Sequence, residues 1–151
     1  MYTDGKTPLL LALRANNLDL VRLLVDRGAD VNTQNEEAET ALFWALRTDD
    51  MDLVRLLIKH GANVNVQNKE GEAPLYLAVR RGNKDLISLL VKSGASVNVQ
   101  NKDGVAPLDL ALKNYDVELV RLFVKNGATG NAQSEVRSKC YGEKTTFRLA
   151  I

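Results

Sequence analysis

Basic side chains recur at one position of the chain, and together they could bind carboxylates. This basic column consists of residues that step by 33 or adjoin such a position: Arg14, Arg47, Arg80, Arg81 and Lys113. Arginine binds a carboxylate through two parallel hydrogen bonds and lysine binds it as a point charge, so the column suits a segment with spaced acidic residues. The structural alternative is that the helix dipole favours lysine and arginine at helix C-termini.

Acidic and apolar residues occur in the loops before and after these basic positions. The loop residues with contact potential are Glu37, Glu39, Glu70, Glu72, Asp103, Val105 and Tyr141. The charges are usually only solvated, since an exposed ion pair contributes ~0 to 1 kcal/mol. Aromatic side chains are more informative, because they are enriched among contact residues with large effects. Tyr115 is such a candidate, since it occupies a turn position held by Asn16 and Asp49 in other units.

Residues for catalysis, metal binding or a cofactor do not converge. His60 is the single histidine and Cys140 the single cysteine, and they lie more than two periods of 33 residues apart. The chain also lacks the spacing of a metal cluster, a glycine-rich phosphate loop and a nucleophile elbow. We therefore expect a protein that is not an enzyme and that uses no metal and no cofactor.

Composition gives no reason to expect a nucleic acid or a membrane as the partner. The chain has 151 residues, with 20 basic and 19 acidic side chains and a net charge of +1. The apolar run from Leu9 to Leu13 is too short to span a membrane, and no basic segment precedes it. A single cysteine excludes an internal disulfide and favours a reducing compartment such as the cytoplasm, with export as an effector as the alternative.

A short sequence that begins with glycine recurs along the chain, and its glycines are also spaced by 33 residues: Gly28, Gly61, Gly94 and Gly127. A period of this length predicts a stacked array. We divide a single domain, 1–151, into repeats at about 4–35, 36–68, 69–101 and 102–134, with a partial repeat and lengthened loop at 135–151. Each repeat has two short apolar-periodic segments and an extended loop, which predicts helix, turn, helix and loop.

Residue types at the segment ends support these helices. The predicted caps of the second helices are Asn17, Asp50, Asn83 and Asp116. The predicted ends of the same helices are the four recurring glycines, because a residue free to adopt positive φ is favoured there. Helices this short are marginal alone, so stacking must stabilise them.

One stretch indicates which kind of repeat forms the array. Asp4-Gly5-Lys6-Thr7-Pro8-Leu9-Leu10-Leu11-Ala12, followed by Leu23-Leu24 and Gly28-Ala29-Asp30-Val31-Asn32, resembles the ankyrin repeat, and the match extends over nearly the whole chain. The resemblance implies an all-α solenoid of helix-turn-helix units, four repeats plus a C-terminal half repeat, with hairpin-like finger loops. It also implies protein–protein interaction through a concave groove and the fingers. The basic column, Trp44 and Tyr115 would line that groove.

Departures from the repeat pattern lead to further expectations. Ala38 stands where Gly71 and Gly104 occupy the finger turn, so we expect the second finger, which precedes the first helix of the second repeat, to deviate in shape. Trp44 stands where Leu11 does in the first repeat, and its extra volume places it in the core or in the groove. We expect the recurring loop asparagines to bond loop backbone between repeats: Asn32, Asn65, Asn98 and Asn131. Hydroxylation of the first of them by an oxygenase is the alternative that the resemblance implies.

The partner that these features indicate is another protein or peptide segment, with acidic character because the column is basic. We expect a monomer unless the apolar C-terminal end, which carries Phe147, Leu149 and Ile151, is covered. The alternative function is a structural spacer, or a fragment of a longer ankyrin array with recognition or catalysis located elsewhere.

Overall fold

Four helix pairs form the part of the chain that the computed structural model describes, residues 7–129. In chain order the helices are α1 (Pro8–Arg14), α2 (Leu18–Asp26), α3 (Ala41–Thr48), α4 (Met51–Lys59), α5 (Pro74–Arg81), α6 (Lys84–Lys92), α7 (Pro107–Lys113) and α8 (Val117–Lys125). No strand is present within this range. The pairs confirm the predicted helix-turn-helix arrangement, whereas the predicted half repeat at 135–151, with Tyr141, lies outside the described residues.

Each second helix begins at its predicted capping residue. In α4 the Asp50 carboxylate accepts a hydrogen bond from the Leu53 amide at 2.9 Å, which satisfies one free N–H group of the first turn. After the same helix, Gly61 has a φ of +84°, and the Ala62 amide turns back to the Leu57 carbonyl at 2.9 Å. The equivalent caps are Asn17, Asn83 and Asp116. Local sequence therefore sets where the second helices begin and end.

The stack is held together mainly by its first helices. Helices α1, α3, α5 and α7 pack against one another in order, whereas the second helices of neighbouring repeats make weaker contacts. One alanine in each first helix is at most 2% exposed and allows close approach: Ala12, Ala45, Ala78 and Ala111. The first helices therefore form the inner side of the array. The surface that they present together with the fingers is called the inner face below.

A series of loop asparagines, the asparagine ladder, ties each repeat to the next one. Asn65 donates through Nδ2 to the Gly94 carbonyl at 3.1 Å and accepts through Oδ1 from the Ser96 amide at 2.7 Å. Asn32 and Asn98 make the same pair of bonds to the repeats that follow them. These bonds confirm the role expected for the loop asparagines, and Asn131 lies outside the described residues. The ladder fixes the distance between successive loops.

The second finger does not deviate in shape, so the expectation drawn from Ala38 is wrong. Ala38 has a φ of +59°, close to the +74° of Gly71 and the +76° of Gly104. Its amide donates to the Asn35 carbonyl at 3.0 Å, just as the Gly71 amide donates to the Asn68 carbonyl at 2.9 Å. A non-glycine residue in this left-handed conformation costs roughly 1 to 2 kcal/mol. The hydrogen bonds of the finger offset that cost.

An asparagine that sequence reasoning did not single out organises each finger turn. Asn35 Oδ1 accepts hydrogen bonds from the amides of Glu37 and Glu39, both at 2.9 Å. Asn68 and Asn101 make the corresponding bonds in the third and fourth fingers, which precede α5 and α7. Their spacing of 33 residues is the sequence signal for this role.

Thr40 precedes α3 but does not cap it. The residue is 3% exposed, and its Oγ1 has no hydrogen-bond partner among the described residues, whereas Thr7 Oγ1 accepts from the Leu10 amide at 3.3 Å. A buried polar group without a partner costs about 1 to 3 kcal/mol. Thr40→Val keeps the shape and removes the hydroxyl, so the free energy of unfolding in urea should rise by about 1 kcal/mol. A fall of similar size would instead assign the hydroxyl to capping α3.

Candidate functional site on the inner face

The basic column lies along the inner face because its members end successive first helices. Arg14, Arg47 and Lys113 are in the last turns of α1, α3 and α7, and Arg80 and Arg81 are in the last turn of α5. All five residues are exposed. Since the helix dipole favours a cation at each of these ends, the contacts of each side chain decide which of them is free to meet a partner.

Arg47 is neutralised by a glutamate of the second finger. Its two terminal guanidinium nitrogens donate to the two carboxylate oxygens of Glu39 at 2.8 and 2.5 Å. Glu39 is 8% exposed, and Asn35 Nδ2 lies 3.5 Å from one of its oxygens. A bidentate pair of this kind is charge-assisted and fixes the geometry of both side chains. Glu39 is therefore an internal partner of Arg47 and not a merely solvated charge, and its contact with a partner stays a prediction.

The next repeat contains the same arrangement. Arg80 donates to one oxygen of Glu72 at 2.5 Å, and Asn68 Nδ2 lies 3.3 Å from the other. The Glu72 side chain is 14% exposed, so it too differs from the exposed finger charge that the sequence predicts. In both repeats the glutamate precedes its arginine by eight residues and lies at the base of the finger, where the loop meets the first helix. That position faces the inner helix and not the solvent.

Arg80 also contacts the ring of Tyr76 in α5. The guanidinium carbon lies 5.9 Å from the ring centroid, within the range of a cation–π contact. The Tyr76 hydroxyl accepts a hydrogen bond from Asn101 Nδ2 at 3.2 Å, which links α5 to the fourth finger. Burial raises the pKa of Tyr76, and the Glu72 carboxylate acts in the same direction, so the phenol is protonated at neutral pH. Arg80 therefore belongs to a packed cluster.

The other three cations of the basic column form no such pair with a glutamate of the described residues, unlike Arg47 and Arg80. Arg14, Arg81 and Lys113 have no ion-pair partner within residues 7–129. The sequence accounts for two of them, because Lys6 and Val105 stand eight residues before Arg14 and Lys113, where the middle repeats have glutamate. This spacing of eight residues is the signal that separates the free cations from the neutralised ones.

Trp44 lines an open cleft beside the first repeat and also packs against the core. The cleft lies between α1, α3 and the second finger, has a volume of about 250 Å³, and is lined among others by Leu10, Leu11, Arg14, Glu36 and Trp44. The Trp44 side chain is half-buried, and its Nε1 is buried with no hydrogen-bond partner among the described residues. The sequence leaves the core and the groove as alternative positions for Trp44. In the structure the side chain packs against the core and also lines this cleft.

The fingers present a charged rim beside the inner face. Backbone bonds join them, as where the Lys69 amide donates to the Glu37 carbonyl at 3.0 Å, and the two side chains of this pair approach to 3.9 Å. Glu37, Glu70 and Asp103 are exposed. Val105 is half-buried, which reduces the apolar surface that it can offer to a partner. The contact roles of all these residues stay predictions.

Tyr115 is the most exposed large apolar side chain between residues 7 and 129, at 77%, and Val117 follows at 61%. Tyr115 lies in the turn between α7 and α8, two residues after Lys113, and has a φ of +55°. Bulky residues rarely adopt this conformation. The equivalent residues Asn16, Asp49 and Gly82 also have positive φ. The turn therefore imposes the backbone conformation, and a tyrosine is not needed to form it.

Groups that bind metals or membranes are not found in the described part of the chain. No set of three or more His, Cys, Asp or Glu residues between positions 7 and 129 could hold a metal ion. In the same range every helix is too short, or not apolar enough, for a bilayer span.

Comparison with known proteins agrees with this geometry. A family model described as ankyrin repeats (3 copies) matches residues 1–68 and residues 49–134. No curated protein matches the chain significantly. The two matched segments cover most of the 151 residues and include all the helices from α1 to α8. The chain therefore belongs to the ankyrin repeat family.

Proposed function

We propose that the chain is a protein–protein interaction module that binds an acidic segment of another protein through its inner face and fingers. Ankyrin repeats are generally protein–protein interaction modules. The proposal adds the surface used and the charge of the partner. It describes a monomer that acts in a reducing compartment and has neither a nucleic acid nor a membrane as its partner.

The observation that carries the acidic partner is the set of free cations on the inner face. Arg14, Arg81 and Lys113 are exposed and have no ion-pair partner in the described residues. Unpaired cations attract the carboxylates of an approaching partner, which speeds association and sets its register. Arg47 and Arg80 contribute less to this attraction, because Glu39 and Glu72 already accept hydrogen bonds from them.

Charge reversal at the two ends of the column tests the proposal. Selection of a random peptide library on the wild-type protein should enrich peptides that contain Asp and Glu. Arg14→Glu combined with Lys113→Glu should weaken the binding of these peptides by about tenfold or more at low ionic strength, and by less at high salt. Both side chains are exposed, so the melting temperature should change little.

The matched control reverses two cations on the second helices. Arg22→Glu combined with Arg121→Glu gives the same net charge as the test variant and also alters exposed side chains. The control should retain the affinity of the wild type. Equal weakening by both variants would show that net charge alone causes the effect, and it would contradict a role of the inner face. Selected peptides without acidic residues would contradict the acidic partner.

A second candidate function is favoured by the outer surface of the first repeat. Leu20 and Leu23 of α2 are 40% and 50% exposed, whereas Leu53, which matches Leu20 in the second repeat, is 1% exposed. This surface therefore has the pattern of a stacking face. In the second candidate the array is a structural spacer within a longer ankyrin array, and recognition takes place elsewhere. A spacer should retain no specific peptide from the library.

A further inference from the structure

The cleft between α1, α3 and the second finger has apolar walls that remain partly open. Leu10 and Leu11 lie on one side and Trp44 on the other. Leu11 is 47% exposed, whereas Leu77, at the same position of the third repeat, is 6% exposed. Apolar surface left open beside a rigid stack gains free energy when a partner side chain covers it.

The size of the cleft selects the kind of group that it can hold. Its volume is about 250 Å³. A cavity of roughly 150 Å³ is large enough to bind benzene, whereas pockets for drug-sized molecules begin at about 300 Å³. The cleft therefore has room for one aromatic or large aliphatic side chain and is small for a drug-sized molecule.

The charges around the cleft are unequal on its two sides. Arg47 is neutralised by Glu39, and Glu37 lies near Lys69, so these charges are balanced within the protein. Arg14 on α1 has no ion-pair partner among the described residues, and neither does Glu36 on the finger side. A carboxylate is thus attracted to the α1 side, while Glu36 disfavours a second carboxylate on the opposite side.

We propose that this cleft is the anchor site for the partner segment, and that it takes a large apolar side chain flanked by one carboxylate. The apolar group covers Leu10, Leu11 and Trp44, and the carboxylate pairs with Arg14. The inference rests on the proposed function, since it specifies one point of the acidic segment that the inner face binds. Apolar side chains buried in a pocket supply most of the affinity at such sites, and the ion pair adds register.

Fluorescence provides a direct test, because Trp44 is the only tryptophan and lines the cleft. The probes are two capped pentapeptides, Gly-Asp-Phe-Gly-Gly and Gly-Gly-Phe-Asp-Gly, titrated into the full chain. We expect a saturable change in emission with at least one of them. Replacement of Phe by Ala in the peptide should weaken binding by more than about tenfold. Replacement of Asp by Asn should weaken it by about fivefold, the upper range for an exposed ion pair.

Variants of the protein locate the binding site. Arg14→Gln should abolish the preference for Asp over Asn, and Leu11→Gln should weaken both peptides. Both positions are exposed, so the variants should keep the circular dichroism spectrum of the wild type. Arg22→Gln, on α2 of the same repeat and outside the cleft, is the control and should leave the titrations of both pentapeptides unchanged.

Two results would overturn the inference. The first is no saturable change with either peptide, as expected if the first six residues of the chain or a second copy fill the cleft. The second is a titration that Arg14→Gln and Leu11→Gln leave unaltered. If acidic library peptides still bind the wild-type protein in either case, the anchor lies elsewhere and the proposed function stands. If no library peptide binds, the proposed function fails as well.

Discussion

Gly71→Ala is expected to lower the free energy of unfolding by about 2 to 3 kcal/mol. Gly71 has a φ of +74°, which an alanine adopts only with strain. A Cβ atom built there would lie 2.9 Å from the Lys102 amide nitrogen and 3.2 Å from the Cα of Asn101. These are backbone atoms of the next finger, and the Lys102 amide donates to the Glu70 carbonyl at 3.0 Å, so they cannot move aside freely.

Gly82→Ala is the matched control for this prediction. Gly82 also has a φ of +74°, but no atom lies within 4 Å of a Cβ built there. Its substitution should therefore cost only about 1 kcal/mol, from backbone strain alone. Urea unfolding of both variants measures the difference, which isolates the contact between the third and fourth fingers. Equal losses would show that the fourth finger yields to the added Cβ without cost.

Tyr115→Asn should stabilise the protein by about 1 kcal/mol and weaken partner binding by about 30-fold. The stabilisation is expected because asparagine tolerates the φ of +55° and the tyrosine ring, in a residue that is 77% exposed, buries little surface. The weakening is expected because an exposed aromatic two residues from Lys113, which has no ion-pair partner within residues 7–129, offers large contact area to the proposed partner. Thermal or urea unfolding and titration of selected library peptides give the two quantities.

The converse substitution at the matching turn supplies the control. Asn16 has a φ of +51° and is exposed in the turn between α1 and α2. Asn16→Tyr should destabilise the protein by about 1 kcal/mol and leave the affinity for the same peptides unaltered. If Tyr115→Asn destabilises the protein, the tyrosine has a packing role. Partner contact would then not explain why a tyrosine stands at this position of positive φ.

Features that depend on local sequence or on the repeat are predicted well. The cap at Asp50 and the helix end at Gly61 need only neighbouring residues, and the sequence contains them in every repeat. The bonds of Asn65 to the following loop are distant along the chain, yet a residue repeated every 33 positions implies a shared environment. Because of this periodicity, a contact between residues distant along the chain can be predicted from a pattern that recurs in each repeat.

Features that depend on tertiary geometry are predicted less well. The pair of Arg47 with Glu39 spans eight residues, which is beyond the three- and four-residue spacings of helix neighbours, so no local rule places the two together. The conformation of Ala38 is favoured by bonds to Asn35 that outweigh its intrinsic preference. The cleft beside Trp44 is likewise a property of the stack, because its walls come from two first helices and a finger.

The asparagine ladder couples each repeat only to its immediate neighbours. Each asparagine holds two backbone groups of the repeat that follows it, as Asn65 holds Gly94 and Ser96, and none of these bonds skips a repeat. In a nearest-neighbour chain of this kind, cooperativity passes from link to link. A repeat that melts releases the asparagine of its predecessor and withdraws its own asparagine from its successor, so both neighbouring repeats lose hydrogen bonds. When the molecule is pulled from its two ends, it should therefore unfold in steps, one repeat at a time.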